Sequence, residues 1–238
     1  MIRPTIKNMG KESTISYKVY PNERLKPVSF HGIDTHPLYI QVIYDRKPIY
    51  FKSYFFDLLS KEKYSLDYIA GKKAPGQKEI IAKEQAVLAF LIRQQNKNFS
   101  LDSFQDNYYY YSKDLLSLMD DRFKDYLITF FEDQGLPGFR SLIEAGRETI
   151  MSAGLIDGFR SALKPQLFKI LLENAPYYGP PYLPSNDFIQ QKSKDIFPTF
   201  SIYQWEEYKS EFEMFLKKEY SDYSFKEVEG YIKKLIKN

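Results

Sequence analysis

His31 and His36 are the only two imidazoles in the 238-residue chain, and Asp34 lies between them. Two imidazoles and a carboxylate are three donors for a divalent cation, and an imidazole titrates near neutral pH. No fourth ligand stands nearby, so the run His31-Gly32-Ile33-Asp34-Thr35-His36 reads as a loop with incidental polar groups, and no metal is expected there. Cysteine is absent, which removes disulfides, thiol nucleophiles and thiolate metal sites. Asp120-Asp121 and Glu206-Glu207 are paired carboxylates. Neighbours on a helix point about 100° apart and do not share a proton or a metal, so both pairs read as solvated helix starts. The chain has no GxxxxGK[ST] or GxGxxG phosphate cradle and no GxSxG elbow. No catalytic residue and no cofactor are expected.

Cations and tyrosines carry the stronger signal. Lys18, Arg46, Lys47 and Lys52 fall within one short β-patterned stretch, and Lys72 and Lys73 follow it. Tyr17, Tyr39, Tyr44 and Tyr50 are interleaved with them. Cations on a small sheet meet phosphates, and strands enter a major groove. Residues 1–83 hold 15 Lys and Arg against 8 Asp and Glu, a net charge of +7, while the remainder is at −4. A basic lobe attracts polyanions. The other concentration is of tyrosine, of which the chain has 21. Tyr108 and Tyr109 open a run of four, and Tyr177, Tyr178 and Tyr182 sit among the prolines of a second segment. Tyrosines are common anchors at protein interfaces, so these five are candidate protein contacts.

The elements that must hold these residues follow from periodicity. Ile15, Tyr17 and Val19 alternate with Ser16 and Lys18, the period of a half-buried strand. Residues 38–44 are rich in β-branched and aromatic side chains, Asp45-Arg46-Lys47 is a polar turn, and 48–53 return as a second strand. A three-stranded antiparallel sheet is predicted. Pro27, Gly32 and Pro37 mark a loop between its first two strands, and 54–60 fit either a strand end or a short helix. Residues 61–77 read as a loop or hinge. From Lys78 onward the spacing is helical: Ile80, Ile81, Val87, Leu88, Leu91 and Ile92 recur at i, i+3/i+4, i+7. Further helices are predicted from Ser100, from Ser112, from Asp120-Asp121, over 139–153 and over 157–174, with Pro165 limiting the last. Residues 175–198 read as an irregular Pro/Tyr-rich segment. Ser201-Ile202-Tyr203-Gln204 and Ser224-Phe225-Lys226-Glu227 match the capping-box pattern of a helix start. The fold class is therefore α+β: a small β-rich domain over 11–77 and a mainly helical domain over 78–238. No sustained heptad marks a coiled coil.

The run 37–51, Pro-Leu-Tyr-Ile-Gln-Val-Ile-Tyr-Asp-Arg-Lys-Pro-Ile-Tyr-Phe, resembles the N-terminal arm-type DNA-binding domain of Bacteroidetes-type tyrosine recombinases, the integrases of phages and transposons. In that family a three-stranded sheet followed by a helix binds arm sites in the element's DNA. Residues 78–112, with Asn98-Phe99-Ser100-Leu101-Asp102-Ser103-Phe104, look like the connecting helix and the start of the core-binding domain. The likeness covers roughly 11–112. It stops there, because the family's chemistry needs an arginine, a His-x-x-Arg and a nucleophilic tyrosine in a C-terminal domain. Neither histidine here lies beyond residue 36, and neither is followed by Arg at the third position. The resemblance implies DNA binding without DNA cleavage.

Two readings remain open. In one, the basic sheet binds DNA of a mobile element or phage. In the other, the helical domain and the Tyr/Pro-rich segment bind a protein partner or a second copy, and the sheet's charge is incidental. The first residues, Met1-Ile2-Arg3-Pro4-Thr5-Ile6-Lys7, lack the apolar run of a signal peptide, and no stretch has the roughly 18 apolar residues of a membrane span. With no cysteine, a cytoplasmic location and no membrane association are expected.

Overall fold

A computed structural model describes residues 15–64, 76–95, 99–192 and 199–237. The chain divides into two compact units, one formed by 1–61 and 74–113 and the other by 62–73 and 114–238. The architecture is α+β, with the three-stranded antiparallel sheet preceding a mostly helical remainder.

In the first unit, β1 (Ser16–Pro21), β4 (Leu38–Tyr44) and β5 (Lys47–Lys52) form the sheet in the order β1-β4-β5. The alternation seen in the sequence sets its faces. Tyr17, Val19, Leu38, Ile40, Val42 and Phe51 are buried. They meet α1 (Tyr54–Leu59), α2 (Gln77–Gln95) and α3 (Phe104–Ser112), with the Phe51 ring 4.8 Å from Tyr108 and 6.5 Å from Phe104. Truncating a ring so enclosed costs about 3–5 kcal/mol. The short apolar run after β5 resolves as helix α1, since Ser53 caps it by accepting from the Phe56 amide at 3.0 Å. Helix α2 buries Ile80, Val87, Leu88, Leu91 and Ile92, the stripe its spacing predicts. The sheet's unit thus takes in α2 and α3 and extends past the boundary at residue 77 read from the sequence.

The predicted loop between the first two strands is a second hairpin, β2 (Val28–Phe30) and β3 (Ile33–Thr35). Its two-residue turn is His31-Gly32, both at positive φ (52° and 78°), where glycine relieves the clash a Cβ would suffer. The flanking prolines mark the ends of this ribbon and leave its three-residue strands intact.

The second unit is helical: α4 (Leu115–Asp133), α5 (Pro137–Ala145), α6 (Ser152–Ala162), α7 (Pro165–Tyr178), α8 (Tyr182–Lys192), α9 (Ile202–Glu219) and α10 (Phe225–Lys237). Helix α4 runs unbroken through Asp120-Asp121, contrary to the predicted restart. Its cap is Asp114, which accepts from the Ser117 amide at 2.9 Å and from the Phe200 amide at 2.7 Å. Pro165 begins α7 where it was expected to limit a helix, because a first-turn residue needs no amide donor. The same reason lets Pro184 sit in the first turn of α8. Residues 175–192 are therefore largely helical, correcting the irregular segment read from their prolines; 193–198 lie outside the described residues. The Gln204 half of the predicted capping box is made, its side-chain oxygen accepting from the Ser201 amide at 2.9 Å. Trp205, Phe212, Phe200 and Phe188 pack together in the core. Among the described residues, no helix is long and apolar enough to cross a membrane.

Candidate nucleic-acid interface

The face of the sheet turned away from the helices is set by register. Ser16, Ile43 and Pro48 form one cross-strand row; Lys18, Gln41 and Tyr50 the next; Tyr20, Tyr39 and Lys52 the third. All nine side chains are exposed or half-buried. Lys18 lies over the Tyr20 ring, 5.2 Å from its centroid. The Gln41 amide donates to the Tyr50 hydroxyl at 2.9 Å, tying the two directly opposed residues together. Tyr50 remains 55% exposed. Two cations and three rings thus share one surface, with a single amide at its centre.

Arg46 extends this surface in the turn at the tip of the β4–β5 hairpin; Lys47, paired with Tyr44, is exposed beside the turn but belongs by alternation to the opposite face. The turn residues are Asp45 and Arg46, at φ 47° and 64°. A tight turn of this hand needs positive φ at both positions and ordinarily carries Asn-Gly or Asp-Gly. Asp tolerates the left-handed region, but arginine there costs on the order of 1 kcal/mol. A fold that places a cation where glycine is easiest holds it at the most protruding point of the sheet. Two carboxylates temper the positive field: Asp45 in the turn and Asp57 on α1. Burial raises the Asp57 carboxyl above its ordinary value, and the Lys52 charge pulls it down.

The sheet is pinned to its helices by one buried carboxylate. Glu84 on α2 accepts from the Ser53 hydroxyl at 2.5 Å, the Phe55 amide at 3.0 Å and the Tyr108 hydroxyl at 2.6 Å. The Tyr108 hydroxyl in turn accepts from the Tyr54 amide at 2.7 Å. Burial dominates these donors and pushes Glu84 up to about 7. The three elements α1, α2 and α3 thus meet at the C-terminal end of β5.

The expected residues are distributed unevenly over this geometry. Lys18 and Lys52 lie on the outer face and Arg46 in the turn at its tip; Lys47 is exposed beside the turn but alternates to the Tyr44 side, and Lys72 and Lys73 lie outside the described residues. Tyr39 and Tyr50 join the cations, but Tyr17 is buried on the inner face and the Tyr44 ring packs 4.7 Å from Phe99. Tyr20 and Gln41 belong to the surface and escaped the sequence reading, although their two-residue spacing from Lys18 and Tyr39 was visible. Among the candidate protein contacts, Tyr108 and Tyr182 are core residues. Tyr109 is half-buried, with its hydroxyl donating to the Lys52 carbonyl at 3.2 Å. Only Tyr177 and Tyr178, at 73% and 76% exposure, project from the end of α7.

His36 Nδ1 lies 3.0 Å from the Leu25 carbonyl, and His31 packs edge-on against Phe30, so the two imidazoles and Asp34 do not converge. Among the described residues, no three His, Asp or Glu side chains form a metal-binding group. Asp120, expected in solvent, is fully buried in the second unit. It accepts from Lys124 Nζ at 2.7 Å and from the Ser152 amide at 2.9 Å. A cavity of about 610 Å³ in that unit is rich in carboxylates, but four of them are engaged: Asp157 with Arg160, Glu173 with Lys169, Glu219 with Lys218, and Asp187 with Tyr220 and Asn186. No known protein family, curated protein or solved structure matches the chain.

Proposed function

We propose that the chain is a non-catalytic DNA-binding protein, and that the outer face of its β1-β4-β5 sheet, with the hairpin tip, receives the DNA backbone. The observation that carries this reading is the gathering of Lys18 and Lys52 on one surface with Arg46 at its tip and Lys47 exposed beside that tip, interleaved with Tyr20, Tyr39 and Tyr50. Charge supports it: the stretches forming the first unit carry 15 Lys and Arg against 9 Asp and Glu, net +6, whereas those of the second carry 19 against 22, net −3. Cations on a surface of net positive potential attract phosphates, and rings beside them add contact area. The likeness to recombinase arm domains favours the same ligand and an origin in a mobile element or phage. Reversing charge at the tip with Arg46→Glu and Lys47→Glu together tests the assignment. DNA affinity is expected to fall more than tenfold with the urea midpoint unchanged; affinity that survives the double reversal removes the hairpin from the interface.

A second reading is favoured by Tyr177 and Tyr178. Two adjacent, exposed rings at a helix end are contact area for a protein partner or another copy. Tyr177→Ser with Tyr178→Ser changes the mass found by light scattering, or partner capture, if that reading holds.

A further inference from the structure

We infer that the strand this face accommodates is single-stranded DNA, its bases stacked on the outer tyrosines. The inference rests on the DNA-binding reading above and names its ligand.

Duplex and single strand ask different things of a surface. A sheet reading a duplex through its major groove presents arginine, lysine, asparagine, glutamine or acidic side chains to base edges. Of these the face offers Gln41, Lys18 and Lys52, and the two lysines flank the surface as phosphate contacts; five of its nine positions are rings or apolar groups, Tyr20, Tyr39, Tyr50, Ile43 and Pro48. In a duplex the base faces are stacked on one another and ring faces have nothing to meet. In a single strand the base faces are free, and each base stacked on an aromatic raises affinity roughly ten- to a hundredfold whatever its identity.

The geometry fits that second demand. Tyr50 is the most open ring of the face, and its tether to Gln41 restrains it before any base arrives. A restrained side chain loses less entropy on binding. Tyr39 lies in the next row and is paired with Tyr20. The cations stand around these rings: Lys18 beside Tyr20, Arg46 and Lys47 at one end of β5, Lys52 at the other. From Lys47 to Lys52 the strand rises about 17 Å, a path long enough for several backbone phosphates to run beside the stacked bases.

The test uses the full chain and two labelled probes: an oligothymidylate of about 15 nucleotides, within the site sizes of small single-strand-binding folds, and its duplex with oligoadenylate. Fluorescence anisotropy is expected to show the single strand bound at least tenfold more tightly. Tyr50→Leu is expected to weaken single-strand binding roughly ten- to a hundredfold and leave duplex binding unchanged, while Tyr50→Phe, which keeps the ring and loses only the tether to Gln41, weakens it by no more than about threefold. Because Tyr50 is exposed, the unfolding midpoints of both variants should match the parent's. Duplex bound as tightly as single strand, or equal losses on both probes in Tyr50→Leu, overturns this inference and leaves the DNA-binding reading standing. Binding to neither probe overturns both.

Discussion

The two units solve one problem, a polar group inside an apolar core, in opposite ways. The sheet unit buries Glu84 with neutral donors from a serine, a tyrosine and a backbone amide. The helical unit buries Asp120 with a cation of its own helix: Lys124 is fully enclosed, 2.7 Å away, and also donates to the Arg147 carbonyl at 2.6 Å. A carboxylate among neutral donors is solvated less well than in water, so Glu84 titrates near neutrality. An ion pair compensates its own charges, and what it resists is the loss of one partner. The surfaces differ in the same sense. Lys18, Arg46 and Lys47 stand on the sheet with no ion pair at any of them among the described residues, whereas many acidic groups of the helical unit are paired, as in Lys209–Glu229–Lys233 and Arg140–Glu132. Cations kept out of internal pairs are available to an external anion.

The largest break in this comparison should come from Lys124→Met. It leaves the buried Asp120 with only the more distant Lys63 ammonium, 3.6 Å away, and should cost about 3 kcal/mol. Urea unfolding followed by Trp205 fluorescence reports on that unit, since Trp205 is the chain's single tryptophan and lies in its core. Replacing both partners, Asp120→Leu with Lys124→Met, should recover most of the loss; a single variant no less stable than the parent would show that the pair is not needed.

Glu84→Ala comes next. It strands the Ser53, Phe55 and Tyr108 donors and should cost about 3 kcal/mol, visible as faster hydrogen exchange at the Phe55 amide. Glu84→Gln sharpens the contrast through pH. The folded carboxyl lies at about 7 and its ordinary value is 4.5. Its contribution is therefore full below about pH 4.5 and declines as pH rises to about 7, by on the order of 3 kcal/mol at ~1.4 kcal/mol per unit. The glutamine variant should lack this decline, and parallel stability–pH curves for the two proteins would refute the assignment.

The smallest expected effect is at the hairpin tip. Arg46→Gly relieves a left-handed arginine and should stabilise the sheet unit by about 0.5–1 kcal/mol while weakening DNA binding. Stabilisation without any loss of affinity would separate the turn from the interface.

Much of the sheet was legible because period-2 alternation fixes both strand and face: Ile15, Tyr17 and Val19 point inward, so Lys18 points out. The same rule places Tyr44 with Val42 and Ile40 on the buried side, a consequence missed when the tyrosines were read by type alone. The β2–β3 ribbon was hidden by its prolines, although His31-Gly32 between Phe30 and Ile33 is a hairpin turn in form. The start of α4 was misplaced because an aspartate signals a helix start only when solvent or a free amide receives it. Asp120 has Lys124 one turn ahead, a pattern as consistent with a buried pair. Pro165 and Pro184 were read as breakers, yet first-turn positions of a helix need no amide donor; Pro176 stands inside α7, where it forgoes one i→i−4 hydrogen bond two residues before the helix ends. The Glu84 cluster joins residues 53, 84 and 108, and no local pattern reveals contacts at such separations.

The central claim, that the outer sheet face binds DNA through its cations, is tested most directly by the salt dependence of affinity. Anisotropy of labelled DNA against the full chain is measured at roughly 50 and 200 mM salt. Four phosphate contacts, from Lys18, Arg46, Lys47 and Lys52, predict a loss of about fiftyfold for a single strand and about 150-fold for a duplex between the two conditions. Absence of binding at the lower salt, or affinity indifferent to salt, would contradict it.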